Sequence, residues 1–192
     1  MKDDLLKMVS SYSDLTPEEA QEISNNSTVT KFKKGTVLLK EGQVSKECYY
    51  VLKGCIREYY IVDGEEKTTA IFTEGQPVNS FLSYINKTPS KHFLVCVEDC
   101  NLTVGTEEKE RAMCLKFPKL EAIIRSEMEK LAGIAQEEFA TYMTSSPEKR
   151  YLNLLKTRPD LFQRIPQHQI ASYIGVTPES LSRIRKRVVL KK

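Results

Sequence analysis

Glu179 and Arg183 stand one helical turn apart in the segment Ile165-Pro-Gln-His-Gln-Ile-Ala-Ser-Tyr-Ile-Gly-Val-Thr-Pro-Glu-Ser-Leu-Ser-Arg-Ile-Arg-Lys-Arg187. On the outer face of a helix, the Arg183 guanidinium can offer two parallel donors to guanine O6 and N7. The Glu179 carboxylate can accept from a cytosine amino group and orient the arginine. Gln167, Thr177, Ser180, Lys186 and Arg187 flank this pair with amide, hydroxyl and cationic groups suited to phosphate oxygens, which position a protein on duplex without reading its sequence. An exposed salt bridge would use the same two charges for only about 0.3 kcal/mol. Charge favours base reading: from Ser146 to Lys192 eleven Lys or Arg face three acids, a balance of +8, whereas the rest of the chain carries −5.

Other chemistry has less to stand on. The five cysteines, Cys48, Cys55, Cys96, Cys100 and Cys114, contain no C-x-x-C pair and read as reduced thiols. His92, Cys96 and Cys100 recur at even spacing and would share one face of a strand. Small apolar thiols filling a β-core account for this better than a metal site, which needs four closely placed ligands. Only two histidines, His92 and His168, are available for acid–base work, and neither a nucleophile elbow nor a phosphate loop is present. The chain is not read as an enzyme, and no cofactor or metal site is identified.

The elements that would position Glu179 and Arg183 follow from local signals. Ile170, Ala171 and Ile174 form the inner face of the first helix, Gly175 supplies the turn and Val176 plugs the angle. Thr177 caps the second helix, Pro178 starts it, and Leu181 with Ile184 is its buried side. Upstream, Ser146-Pro147-Glu148 is an N-cap, a first-turn proline and an early acid, opening a helix with Tyr151, Leu154 and Leu155 inward; Arg158-Pro159 ends it. Leu120, Ile124, Met128, Leu131, Ala135, Phe139 and Tyr142 recur at steps of three and four residues, which predicts one long helix from Phe117 or Pro118 to about Thr144. Such a helix outruns a small barrel, and pairing with a second copy is the economical way to bury its stripe, Ile123 and Ile134 widening the seam.

Residues 1–24 read as helical, with Thr16 as N-cap, Pro17 at the first helical position and Glu18 and Glu19 in the first turn. From Ser27 to about Gly105, short β-rich runs alternate with turn signals, the pattern of a small antiparallel barrel or jelly roll. Its clearest hairpin pairs 55–62 with 66–72 across Asp63-Gly64, residue types that tolerate positive φ. The fold class is therefore α+β: an N-terminal barrel or jelly roll over 1–116, a dimerisation helix over 117–145 (core positions Leu120, Ile124, Met128, Leu131 and Ala135) and a small helix-turn-helix domain over 146–192. With 40% hydrophobic and 29% charged residues and no long apolar run, the sequence is neither disordered nor membrane-spanning. The N-terminus precedes no apolar h-region, and a cytoplasmic location is expected.

Over about residues 15–190 the chain resembles the Crp/Fnr family of bacterial regulators. Gly35-Thr-Val-Leu-Leu-Lys-Glu-Gly42 and Tyr49-Tyr-Val-Leu-Lys-Gly54 look like its early barrel strands, and Glu179 with Arg183 match the base-contacting positions of its recognition helix. The resemblance implies a cyclic-nucleotide-binding-like barrel, a homodimer, double-stranded DNA as target and RNA polymerase as a further partner. It departs from the family where cyclic-nucleotide binders carry Gly-Glu and Arg-Ser pairs: the corresponding places read Val78-Asn79, followed by Ser80, and Ser90-Lys91. Without the guanidinium there is no bidentate clamp for a cyclic phosphate, and cyclic AMP is not the expected effector. Asn79, Ser80, Ser83, Ser90 and Lys91 are either the lining of a pocket for another small effector or solvated loop residues, the second being the expectation. Ala135 and Gln136 stand where adenine-contacting hydroxyls would be expected. No N-terminal cysteine cluster is present for an iron–sulfur sensor, and with the sequence running to Lys192 the β-hairpin wing of the family is expected to be missing. The alternative function is an effector-binding or protein-interaction module whose helix-turn-helix no longer reads DNA.

Overall fold

The computed structural model describes residues 2–190 and begins with two helices, α1 (Lys2–Val9) and α2 (Pro17–Asn26), the second starting after the expected N-cap Thr16. The break falls on a polar run in which the Ser11 hydroxyl donates to Met8 O at 2.6 Å and competes with helix continuation. Thr16 then restarts the chain with a capping box. Its hydroxyl accepts from the Glu19 N–H and the Glu19 carboxylate accepts from the Thr16 N–H, so two otherwise orphaned donors are satisfied. Leu5 and Val9 of α1 meet Ala20 and Ile23 of α2 and Phe117 in one apolar cluster.

The β region runs β1 (Val29–Phe32), β2 (Val37–Leu39), β3 (Cys48–Lys53), β4 (Ile56–Val62), β5 (Glu65–Phe72), β6 (Pro77–Val78), α3 (Phe81–Asn86), β7 (Phe93–Cys96) and β8 (Cys100–Gly105). The strands form two four-stranded antiparallel sheets, ordered β1-β8-β3-β6 and β2-β7-β4-β5. Of the two expected forms, barrel or jelly roll, the structure is the second, a jelly-roll-like pair of sheets and not a closed barrel: each sheet ends in edge strands, β1 and β6 in one, β2 and β5 in the other. Leu39, Val51, Ile56, Val78, Leu94, Cys96, Cys100 and Leu102 come from both sheets and make one buried cluster. The expected hairpin is present between β4 and β5, with Asp63 and Gly64 both at positive φ, 54° and 78°.

Two helices follow, α4 (Glu107–Lys116) and α5 (Lys119–Thr144). The 26 residues of α5 span about 39 Å at 1.5 Å per residue. Ile123 is buried and Leu120, Ile124, Met128 and Leu131 are half-buried, whereas every residue from Ala132 to Thr144 is exposed. The helical segment beyond comprises α6 (Pro147–Thr157), α7 (Leu161–Arg164), α8 (Gln167–Tyr173) and α9 (Pro178–Leu190). Ser146 caps α6 by accepting from Lys149 N–H, and Pro147 occupies its first turn, as the sequence signal requires. Arg158, ahead of Pro159, closes the helix.

The chain divides into two compact units, one of residues up to Glu58 with Ile71–Lys130, the other of Tyr59–Ala70 with residues from Leu131 onward. The second unit is built on Tyr151, Leu154, Leu161, Ile165, Ile170, Ala171, Ile174, Leu181 and Ile184, all buried. Burying side chains the size of Ile170 and Leu181 contributes about 2 kcal/mol each.

Candidate nucleic-acid interface

The α8–α9 turn begins where α8 runs out of hydrogen-bond partners. Gly175 adopts φ +71°, its N–H donating to Ser172 O at 3.0 Å, and Val176 N–H reaches back to Ala171 O at 2.9 Å. These are the two bonds of a Schellman motif, which needs a left-handed residue where Gly175 sits. Thr177 then opens α9: its carbonyl accepts from Leu181 N–H at 2.9 Å and its hydroxyl accepts from Ser180 N–H at 3.2 Å. Leu181 and Ile184 face inward, while Glu179, Ser182, Arg183, Arg185, Lys186 and Arg187 are exposed.

The structure places Glu179 and Arg183 together on this outer face. The Glu179 carboxyl lies below the ordinary carboxylate range, held there by the backbone N–H at the helix start, then by the Thr177 hydroxyl, with the Arg183 charge adding to both. Arg183 Nη2 donates to Ser180 Oγ at 3.3 Å. Gln167 is exposed at the start of α8, and Lys186 is exposed on α9. Arg187, exposed, lies 3.6 Å from the half-buried Glu148 carboxylate on α6. The Lys191-Lys192 tail lies outside the described residues.

One residue that sequence reading counted only as a charge organises the unit. Arg150 on α6 donates through Nε to Ile174 O at 2.8 Å, and through Nη1 to Tyr142 O at 3.0 Å and Ser145 O at 2.9 Å. Its guanidinium stacks 4.4 Å from the centroid of the Tyr142 ring. The end of α5, the loop after it and the turn before α9 are thus tied to one side chain. Nothing in the sequence marks this, because all three acceptors are backbone carbonyls. Ser172 makes a second unread contact: its hydroxyl donates to Glu66 O at 3.2 Å and accepts from Thr68 N–H at 2.8 Å, fastening the hairpin end to α8.

The proposed effector residues are placed differently from expectation. Ser80, Ser83 and Ser90 are buried rather than solvated, Asn79 is half-buried, and Lys91 alone is exposed. A loop residue is solvated only when its polar group finds no partner inside, and these hydroxyls find several. Ser83 Oγ donates to Thr88 O at 2.6 Å and accepts from Ser45 N–H at 2.8 Å. Ser90 Oγ donates to His92 O, accepts from His92 N–H and lies 3.3 Å from Ser80 Oγ. The His92 ring is 3.4 Å from the Glu58 carboxylate, both side chains mostly buried. Cys96 and Cys100 are buried in the inter-sheet core, and contact with Cys100 together with burial raises the Cys96 thiol far above its ordinary range. Among the described residues no three His, Cys, Asp or Glu side chains form a metal-ligand set, and no helix is long and apolar enough to cross a membrane.

Residues 29–117, which hold the two sheets, match the cyclic nucleotide-binding domain family. In fold, the chain is similar to the c-di-GMP-responsive global regulator CLP of Xanthomonas campestris, with TM-score 0.71 and 16% identity over 92% of this chain and 93% of that one. It is also similar to FixK2 from Bradyrhizobium japonicum, with TM-score 0.69 and 14% identity over 86% of this chain and 85% of that one. A CooA mutant from Carboxydothermus hydrogenoformans gives TM-score 0.66 and 15% identity over 95% of this chain and 83% of that one. At these identities the likeness is one of fold. No curated protein matches the chain in sequence.

Proposed function

We propose that the chain is a DNA-binding transcription regulator of the Crp/Fnr type, reading a palindromic duplex site as a homodimer. The observation that carries this reading is the outer face of α9. Its first turns present Glu179, Arg183 and Lys186 to solvent, while Leu181 and Ile184 fix the helix from behind. A helix held in this way meets the major groove with its N-terminal residues. Arg183 and Glu179 contact bases; Gln167, Lys186, Arg187, Thr177 and Ser180 lie along the backbone. In this reading residues 146–192 are the DNA-binding domain, 117–145 the dimerisation helix and 1–116 the effector domain, whose ligand differs from cyclic AMP.

The exposed end of α5 supports the dimer. Ile134 is 53% exposed, Phe139 68% and Met143 66%, a run of large apolar side chains that a single chain leaves in water. Sedimentation of the purified protein should give twice the mass of one chain, and Ile134→Glu combined with Phe139→Glu should return the monomer. A wild-type monomer at micromolar concentration would overturn this part.

Selection from a random duplex pool tests the reading directly. A palindrome with half-sites about 34 Å apart is expected, bound with a steep salt dependence. Arg183→Ala should then cost about 1–3 kcal/mol per half-site and relax specificity at one base. Lys186→Ala should instead weaken specific and random DNA alike and flatten the salt slope. Failure to enrich any sequence, or equal losses on both DNAs for Arg183→Ala, would sink the base-reading assignment.

A further inference from the structure

Arg183 is held before any DNA arrives. Thr177, Ser180 and Arg183 follow one another at three-residue steps, which places them on one side of the first turns of α9. Thr177 Oγ1 lies 3.2 Å from Ser180 Oγ, and Ser180 Oγ in turn receives Arg183 Nη2 at 3.3 Å. The Thr177 hydroxyl has one hydrogen, shared between Ser180 Oγ and the Glu179 carboxylate, and the two lone pairs of the serine hydroxyl leave room for Arg183 in either case. Ser180 is half-buried and anchored through its own N–H to Thr177 Oγ1, while Arg183 is exposed. Glu179, four residues before Arg183, feels the same charge, which helps to lower its carboxyl.

We propose that Ser180 is a positioning residue for base recognition: it presets the Arg183 guanidinium for the guanine edge, in addition to any phosphate it meets. The proposal rests on the DNA-reading function above. A long arginine side chain free in water loses rotamer entropy when a base fixes it, and a tether formed in advance removes part of that loss. A preset fork also resists swinging to a neighbouring phosphate, so the tether acts on discrimination more than on overall affinity.

The test uses the full-length dimer, the selected palindrome, and duplexes altered at the single base pair that Arg183→Ala makes indifferent. Ser180→Ala leaves the Ser180 N–H to Thr177 contact in place and favours helix, so the fold is retained. Ser180→Ala should lower discrimination at that base pair by about fivefold, the factor that one modest hydrogen bond supplies. Any loss on random DNA reports the phosphate contact of Ser180 and is subtracted; the fivefold loss of discrimination should remain after that subtraction, and Ser180→Thr should restore it. Equal weakening of specific and random DNA, with the salt slope unchanged because serine carries no charge, identifies a phosphate contact alone and overturns the positioning role. Unchanged discrimination in Ser180→Ala overturns it too. If Arg183→Ala leaves every base pair equally discriminated, the failure belongs to the base-reading assignment itself, and the proposal falls with it.

Discussion

Arg150→Ala should destabilise the helical unit by about 3 kcal/mol, a large effect for a side chain that is neither in the apolar core nor on the α9 face. Alanine removes three charge-assisted bonds, to Tyr142 O, Ser145 O and Ile174 O, together with the stacking on the Tyr142 ring. Each such bond to an ionised donor contributes about 1.5–3 kcal/mol. The sum falls short of simple addition because water reaches part of the site and re-solvates the freed carbonyls. Lysine should rescue little, since a single ammonium cannot span acceptors that the planar fork reaches from several directions. Equilibrium unfolding gives the energy, and hydrogen exchange locates it: protection should fall across 142–176. A change under about 0.5 kcal/mol would place Arg150 among ordinary surface residues.

The second large effect belongs to the turn itself. Gly175→Ala puts a Cβ on a residue at φ +71°, 2.2 Å from Tyr142 Oη and 3.2 Å from Tyr142 Cζ. The left-handed backbone alone costs about 1–2 kcal/mol for an L-residue. The Tyr142 ring must also swing away, which weakens its stacking with Arg150, and the combined cost should reach about 3 kcal/mol. Tyr142→Phe deletes the atom in closest conflict. In that background Gly175→Ala should fall back toward the backbone cost, and a double-mutant cycle should show coupling of about 1 kcal/mol. Strict additivity of the two substitutions would show that the turn gives way without Tyr142.

What the sequence disclosed here was local, and what it withheld was not. Ser146-Pro147, Thr177-Pro178 and Asp63-Gly64 each act within a few residues, and each element starts or turns where they stand. The α5 stripe and the inner faces of α8 and α9 were equally readable, because periodicity is a property of one segment. The pairing of β1 with β8 joins residues some seventy positions apart. No turn signal encodes that. The gap between α1 and α2 is legible only at its far side: Thr16-Pro17 marks where α2 starts, while the serine-rich run before it is compatible with either a helix or a stop until its hydroxyls choose partners. Arg150 illustrates the same limit in the candidate site: the sequence shows only its charge, and its role appears once its carbonyl acceptors are in view. Ser80, Ser83 and Ser90 were expected in solvent because serine usually is, and only their mutual geometry shows them engaged.

That engagement sets the terms on which any molecule could enter between β6 and β7. A guest that hydrogen-bonds to Ser80 or Ser90 must first separate those hydroxyls from each other and from His92, so the exchange is one bond for another and the net gain is small. Polar contacts there would select a guest by shape and donor pattern, and the affinity itself would have to come from apolar surface withdrawn from water.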